Sequence, residues 1–572
     1  MRYLVLLFIF FTTTLVAQDL TESNLPIMVI DTDDSAIPDE PKITARMGII
    51  ANGEGMRNRI TDEFNEYDGW IGIEGRGSTS QFVFPKIGYG FETRLEDGSN
   101  NNVTLIGLPT ENDWVLHGPY SDKSLIRSAL AYKLAEQVMP YAPRTRFIEL
   151  VINDEYLGVY VLIEKIKRDN DRVDIARLNP DENEGDDLTG GYIIKHDKGF
   201  NGTNGWDSQF SSLSDRDKKT QFLYHYPKPD EITEAQKNYI QSYVDTIENI
   251  LKSPNFDDPI NGYEKYLDIE SFIDFMWVNE ISRNVDGYRL STFMYKDKES
   301  SEDGRLHMGP VWDFNLAFGN ANYCGGGNPA GWAYGFNRLC PDDFWVIHFW
   351  WERLREDERF RRRAQERWQE LRANQWSDER LQFYVDSMTN LLGEAQQRNF
   401  IRWNIFNEYI WPNNFVGNNY FSEVNYLRGW LEERVEWLDD RIADYVNPTY
   451  DPIGYEIPNV YPNPTTGIVT IDYYADVTQP VQIFIYNAQG QIVNKFRDDR
   501  PRNNENRITM NLPPTSGMYF YVIYFGEERE QSGKIFVEGW FNFPTVVETL
   551  NFNVSTEIFV YFLSKAICHF FI

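Results

Sequence analysis

Asn284-Val285-Asp286-Gly287-Tyr288, a strand-like run to Tyr295, and then Gly309-Pro310-Val311-Trp312-Asp313-Phe314-Asn315-Leu316-Ala317-Phe318-Gly319-Asn320 form the stretch from which the fold is read. Asp286 and Asp313 each sit in a polar, Gly-flanked turn at the end of an apolar strand-like segment. Loops positioned by a rigid scaffold are where chemistry is carried, so the layout suits a base and a metal ligand facing one pocket. Either acid taken alone could equally be a turn residue, because Asp beside Gly commonly satisfies neighbouring backbone N–H groups.

Phosphoryl transfer needs little covalent chemistry from a protein, but it needs an oxygen ligand for the phosphate-bound cation and an acid that orients the acceptor hydroxyl. Asp313 and Asp286 are candidates for those roles. The run resembles the CotH kinase family, the spore-coat-protein-H-like atypical kinases, whose mark is Asn-x-Asp-x-Tyr followed by Gly-Pro-Val-Trp-Asp-Phe-Asp-Leu-Ala-Phe-Gly. Asn315 stands where that element has its second acid. An amide still offers oxygen to a cation but brings no charge. The resemblance implies ATP with Mg²⁺ or Mn²⁺, and a Ser, Thr or Tyr hydroxyl on a protein as acceptor. Under it Asp286 orients the hydroxyl and Asp313 holds the cation with Asn315 assisting.

A second segment, Glu74-Gly75-Arg76-Gly77-Ser78-Thr79-Ser80-Gln81-Phe82-Val83-Phe84-Pro85-Lys86, follows a strand-like run and leads into another. Glycines let backbone N–H groups approach phosphate, and Arg76, Ser78 and Ser80 can donate to it. A plain Gly-rich hairpin is the other reading. The segment also resembles the Arg-Gly-x-Ser and Phe-Pro-Lys element of the same family, which implies that Lys86 holds phosphates. A kinase lysine is itself held by an acid; Glu164 matches a family Glu, its rival reading being a surface pair with Lys165 or Lys167. Arg127 matches another family position, either on a helix face or beside the phosphates.

Outward from these motifs, strand-like runs fill 42–174, among them 70–73, 89–94, 147–152 and 159–163, interrupted by a helix expected over 124–138. Helical texture follows over 230–282 and again from Trp345 to Tyr445. There the run Glu352–Arg359 reads as a solvated face, and Trp430, Leu431, Val435 and Leu438 read as core. The expected class is therefore α+β in two lobes with the acids lining the cleft between them, which the resemblance implies is an atypical protein-kinase-like domain over 42–447.

Beyond Pro448, short alternating strands and regular turns argue a small all-β sandwich. Its Tyr461-Pro462-Asn463-Pro464 opening, Tyr486-Asn487-Ala488-Gln489-Gly490 centre and Gly517-Met518-Tyr519 close resemble the type A C-terminal sorting domain of the type IX secretion system of Bacteroidetes, over 455–538. At the other end Met1-Arg2 and the apolar run from Tyr3 to Phe11, with Ala17 at a cleavage point, read as a signal peptide over 1–17. Residues 18–41, acidic and turn-rich, read as a linker. Together these imply a secreted or cell-surface protein that meets the type IX secretion machinery. In an oxidising compartment Cys324 and Cys340 are expected to pair, leaving Cys568 without an evident partner.

With 55 Lys and Arg against 87 Asp and Glu, the formal charge is -32, which disfavours nucleic acid and anionic lipid as partners. The apolar tail 539–572 lacks an uninterrupted membrane-spanning run, so no stable span is expected. The six His and three Cys show no zinc spacing, and no Walker or Gly-x-Ser-x-Gly pattern occurs. Two other functions remain open. One is a non-catalytic surface binding protein or adhesin that keeps a pseudokinase-like fold; the other is a carbohydrate-active enzyme built on paired carboxylates and aromatic platforms.

Overall fold

Seven strands close into a barrel: β1 (Ile27–Asp31), β2 (Ile43–Ile50), β3 (Tyr67–Arg76), β4 (Gly88–Arg94), β5 (Asp113–His117), β6 (Thr145–Ile152) and β7 (Glu155–Glu164). The order is β6-β7-β5-β4-β3-β2-β1, and β1 returns to pair parallel with β6. Successive side chains along a strand point to opposite faces. Ile148, Leu150, Tyr160 and Leu162 therefore fill the barrel with Met28, Ile71, Phe91 and Trp114, while Phe147, Val159, Val161 and Ile163 join a second core shared with the helices. Strands buried on both faces lose their alternation, which is why 159–163 reads as an unbroken apolar run and 147–152 as one interrupted only by the buried Glu149.

This computed structural model describes residues 20–446 and 459–537, apart from 214–215, 462, 476–479, 500–503, 514 and 526–528. The expected signal peptide, Cys568 and the tail 539–572 lie outside the described residues. The linker read over 18–41 is corrected: Ile27, Met28 and Ile30 are buried, and Ile27–Ile30 pair with Glu149–Ile152 to shut the barrel. Asp31, Asp33 and Asp34 at the end of this short strand gave it the texture of a turn-rich linker.

The α-helices of five or more residues are α1 (Thr79–Val83), α2 (Arg127–Ala135), α3 (Glu234–Lys252), α4 (Ile269–Ser282), α5 (Trp350–Glu356), α6 (Glu358–Ala373), α7 (Asp378–Leu392), α8 (Ala395–Arg402) and α9 (Tyr420–Val446). Helix α2 starts later than Ser124 because Leu125 takes φ +64° while the Asp122 carboxylate accepts the Ser124 and Arg127 N–H groups at 3.0 and 2.8 Å. A reciprocal capping box between Thr233 and Gln236 opens α3. Helix α4 is buried on nearly every side and stops where Arg283 turns left-handed at φ 42°. The charged run 352–359 is not one solvated face. Asp357 is buried there, capping α6 by accepting the Arg359 N–H at 2.9 Å and the Tyr263 hydroxyl at 2.6 Å, and Arg355 packs over the Tyr334 ring. Trp430, Leu431, Val435 and Leu438 are core residues of α9.

A second sheet, which the sequence reading touches only near Tyr295, comprises β8 (Tyr192–His196), β9 (Gly205–Leu213), β10 (Arg216–Tyr226), β11 (Thr292–Lys296) and β12 (Leu306–Met308) in the order β9-β10-β8-β11-β12. Strand β11 separates the two acidic turns, and the chain after β12 runs straight into Gly309. Cys324 and Cys340 form a disulfide.

Contacts divide the chain between Gly454 and Tyr455 into two units. The second unit is all-β: β13 (Asn459–Tyr461), β14 (Ile468–Ala475) and β17 (Asn504–Asn511) form one sheet in the order β13-β14-β17, and β15 (Val481–Tyr486), β16 (Ile492–Asp498), β18 (Gly517–Phe525) and β19 (Arg529–Val537) form another in the order β16-β15-β18-β19. Val469, Ile471, Ile483, Ile485, Tyr521 and Ile535 from both sheets share one core, the mark of a sandwich. No helix of the described residues is long and apolar enough to cross a membrane.

Candidate active site

Asn284, released from the end of α4, ties the two acidic turns to each other. Its Oδ1 accepts the Asp286 N–H at 3.3 Å and its Nδ2 donates to the Asp313 carbonyl at 3.1 Å. Asp313 takes φ +64°, a conformation that a non-Gly residue holds only with support from its surroundings. Tyr132 of α2 supplies it, its hydroxyl accepting the Asp313 N–H at 3.1 Å. Further along, the Phe318 N–H donates to the Ser282 carbonyl at 2.7 Å, and Arg127 Nε donates to the Phe318 carbonyl at 3.4 Å. Gly319 has to be glycine, since φ is +75° and a Cβ would stand 2.5 Å from Trp430 Cδ1.

Asp286 is held from its side chain as well. Arg289 Nη2 donates to Asp286 Oδ1 at 2.8 Å, and Nη1 donates to Asp343 Oδ1 at 3.2 Å. Arg289 itself is buried with its guanidinium 3.9 Å from the Phe336 ring centre. Arg127 is neither a solvated helix-face residue nor part of the cleft lining: it is 1% exposed and paired with Asp122 at 2.6 Å.

These turns open on a cleft of about 770 Å³ between the barrel strands and the α4–β11 region. Arg76, Ser78, Lys86, Asp286, Asp313 and Asn315 all line it; Glu164 does not. Parity along β7 explains the exception, because Ile163 faces the cleft and the next side chain must point to the opposite face. There Glu164 is fully buried and accepts from Arg144 Nε and Nη2, both at 2.8 Å. Lys86 is held instead by the Val159 carbonyl at 2.6 Å and by Asn399 Oδ1 of α8 at 2.7 Å. The expected Lys86–Glu164 pair is therefore absent. The Gly-rich segment is not a plain hairpin either, since α1 stands between β3 and β4.

The carboxylates crowd one another. Asp313 is pushed up to about 7 by burial and by repulsion from Asp286 and Asp197, against the pull of Lys198 and Arg76. Its carboxylate is open to the cleft, so this is a recessed group that water still reaches, not a sealed one. Burial also raises Asp286, opposed by Arg289 and Lys198. Lys86 is brought down to about 7 by burial alone, the distant Glu149 opposing weakly. Repelled carboxylates on a cleft floor favour a bound cation, which reverses the sense of such shifts.

Among the described residues, three His, Cys, Asp or Glu ligands approach within 4.8 Å of each other only at Asp268, Asp303 and His307, outside the cleft. Arg305 already donates to both of those acids. The cleft thus offers Asp313 and Asn315 without an all-protein cage. That donor set fits Mg²⁺ or Mn²⁺ held by one or two oxygen ligands together with substrate phosphates. Arg289, Asp197, Lys198, Tyr132 and Asn399 escaped the sequence reading. Only Arg289 carried any signal, three residues after Asp286 and so within reach of it on a turn.

The barrel and the helical core meet at a cleft lined by two acids on coupled turns. The CotH kinase protein family model matches residues 73–438, and the chain belongs to that family. A secretion system C-terminal sorting domain matches residues 459–538, the all-β unit. That tail supports export, a secreted or cell-surface location and contact with the type IX secretion machinery. Comparison with individually curated proteins gives no match.

Proposed function

We propose that the chain is an exported ATP-dependent protein kinase, delivered by the type IX secretion system of a Bacteroidetes bacterium, with the barrel and the helical core acting as its two lobes. The observation that carries this reading is the convergence of Asp286, Asp313, Asn315, Arg76 and Ser78 on one cleft, with Asn284 setting the spacing of the two acidic turns. A divalent cation, when bound, would neutralise phosphate charge as it is passed to the acceptor. Asp313 and Asn315 would hold it. Arg76 and Ser78 would donate to phosphate oxygens. Asp286, fixed by Arg289, orients the acceptor hydroxyl: the acceptor oxygen forms its bond to the γ-phosphorus, the bond from that phosphorus to the β,γ-bridging oxygen breaks, ADP leaves, and the hydroxyl proton passes to Asp286.

Asp286→Asn tests the assignment. It keeps the shape of the turn but removes the proton acceptor, so phosphate transfer from γ-labelled ATP to protein hydroxyls should fall at least about 100-fold while ATP affinity changes by less than about 3-fold. Transfer at the wild-type rate would remove Asp286 from the chemistry. The alternative, a non-catalytic binding protein, is favoured by Asn315, which leaves the cation one charge short; it predicts ATP binding with no transfer by the wild-type chain.

A further inference from the structure

The Lys86 ammonium is 2% exposed and donates to the Val159 carbonyl and to Asn399 Oδ1. An ammonium has three protons, so two are engaged, and turning it toward a phosphate would give up both of these buried bonds. Asn399 Oδ1 also accepts the Val159 N–H at 3.1 Å, making Lys86, Asn399 and the β7 backbone a single knot between barrel and helix. The Tyr160 ring centre lies 5.0 Å from Nζ.

Two other cations of the same cleft stand differently. Lys198 follows β8 and lines the cleft with Asp286 and Asp313. Its neighbour Asp197 is already taken by Lys195 at 2.6 Å, and Lys198 Nζ makes no ion pair among the described residues, lying 5.1 Å from the centre of the Trp345 ring. Arg76 likewise makes no ion pair among the described residues, its guanidinium lying 5.5 Å from the Trp312 ring centre beside Asp313. Both charges act on Asp313, and both keep their donors available. A phosphate chain needs donors that are neither buried nor committed, and long-stemmed cations parked on aromatic faces meet that need at little cost.

We propose that Lys198, paired with Arg76, is the cation that meets the phosphates above Asp313, and that Lys86 is a strut of the barrel wall. This rests on the nucleotide reading above and changes which lysine serves it. Lys86, brought down to about 7, would also carry its charge only part of the time at neutral pH.

The test measures binding of ATP with Mg²⁺, and separately of inorganic triphosphate with Mg²⁺, by titration calorimetry on the full chain. It compares wild type, Lys198→Met, Lys198→Arg, Lys86→Met and Lys86→Gln, with circular dichroism and melting to check folding. Lys198→Met should weaken both ligands at least about 10-fold, with Lys198→Arg restoring most of the loss. The Lys86 variants should lower the melting temperature, and whichever of them folds should bind both ligands within about 3-fold of wild type. The opposite pattern, affinity lost with Lys86 and kept with Lys198→Met, overturns the proposal. If wild type binds triphosphate but not ATP, the nucleotide reading fails and the anion site stands; if it binds neither, both fail.

Discussion

On the helical wall of the cleft, Asp286 and Asp313 are held toward the ligand space by Asn284, Tyr132 and Arg289, whereas on the barrel wall Lys86 and Glu164 are held away from each other by partners from distant parts of the chain. The first wall is a local construction, in which one stretch supplies the acids and most of the bonds that place them. The second is assembled by strand parity and by a helix more than three hundred residues beyond Lys86. Residue identity alone therefore predicts geometry well on one side of the cleft and poorly on the other.

Three changes break or sharpen that contrast. The largest effect is expected from Glu164→Gln, which leaves the half-buried Arg144 and the fully buried Arg172, 3.9 Å away, facing a neutral amide. Breaking one partner of a buried pair costs about 3–5 kcal/mol, so the melting temperature should drop sharply. ATP affinity of the folded fraction should stay near wild type. A variant that melts normally and loses ATP would place Glu164 in the site after all.

Asn284→Ala comes next. It removes the part-buried bonds to the Asp286 N–H and the Asp313 carbonyl, each worth about 0.5–1.5 kcal/mol. Because it loosens the spacing of the two acids, it should lower the transfer rate more than ATP affinity. An equal loss in both, or none in either, would show that the coupling of the turns does not matter to the site.

The smallest effect concerns acid. Burial pushes His196 down to about 3 and His117 and His225 down to about 4, so between these values and the ordinary 6.5 the unfolded chain binds more protons than the folded one. Their contribution to stability is complete above about pH 6.5 and is lost as pH falls toward 4. Asp274, pushed up to about 6, works in the opposite sense, so the useful measure is a difference. From pH 7.5 to 5, His196→Gln should lose less in melting temperature than wild type; an identical or steeper loss would contradict the assignment.

The parts legible in sequence are those whose physics is local. The apolar runs over 147–152 and 159–163 are strands because they are buried on both faces, and the alternation of Val481–Tyr486 marks a sandwich strand with one face inward. Asp286 and Asp313 were legible through their turns. The barrel strand Ile27–Asp31 was not, since acidic turn residues adjoin it and no local pattern announces the parallel pairing with β6 that closes the barrel. Nor was the holder of Lys86: Asn399 sits in a helix whose sequence reads as an ordinary amphipathic face, and nothing in it points back to the barrel. Lys198 and Asp197 were overlooked because a Lys-His-Asp-Lys run at a strand end resembles any solvated turn.

The most direct test of the account is the thermal stabilisation of the full chain by ATP, with and without Mg²⁺ or Mn²⁺, in wild type and in Asp313→Asn. Asn is the chosen replacement because the left-handed backbone at Asp313 tolerates it better than Ala. A ligand bound only by the folded state raises its stability by about 2.7 kcal/mol at one hundred times its dissociation constant, so wild type should melt several degrees higher with ATP and cation together than with either alone. In Asp313→Asn the cation-dependent part of that rise should vanish while the ligand-free melting temperature holds. A wild-type chain indifferent to ATP and cation, or an Asp313→Asn chain stabilised as strongly as wild type, would contradict the claim that Asp313 presents a metal-bound nucleotide to Asp286.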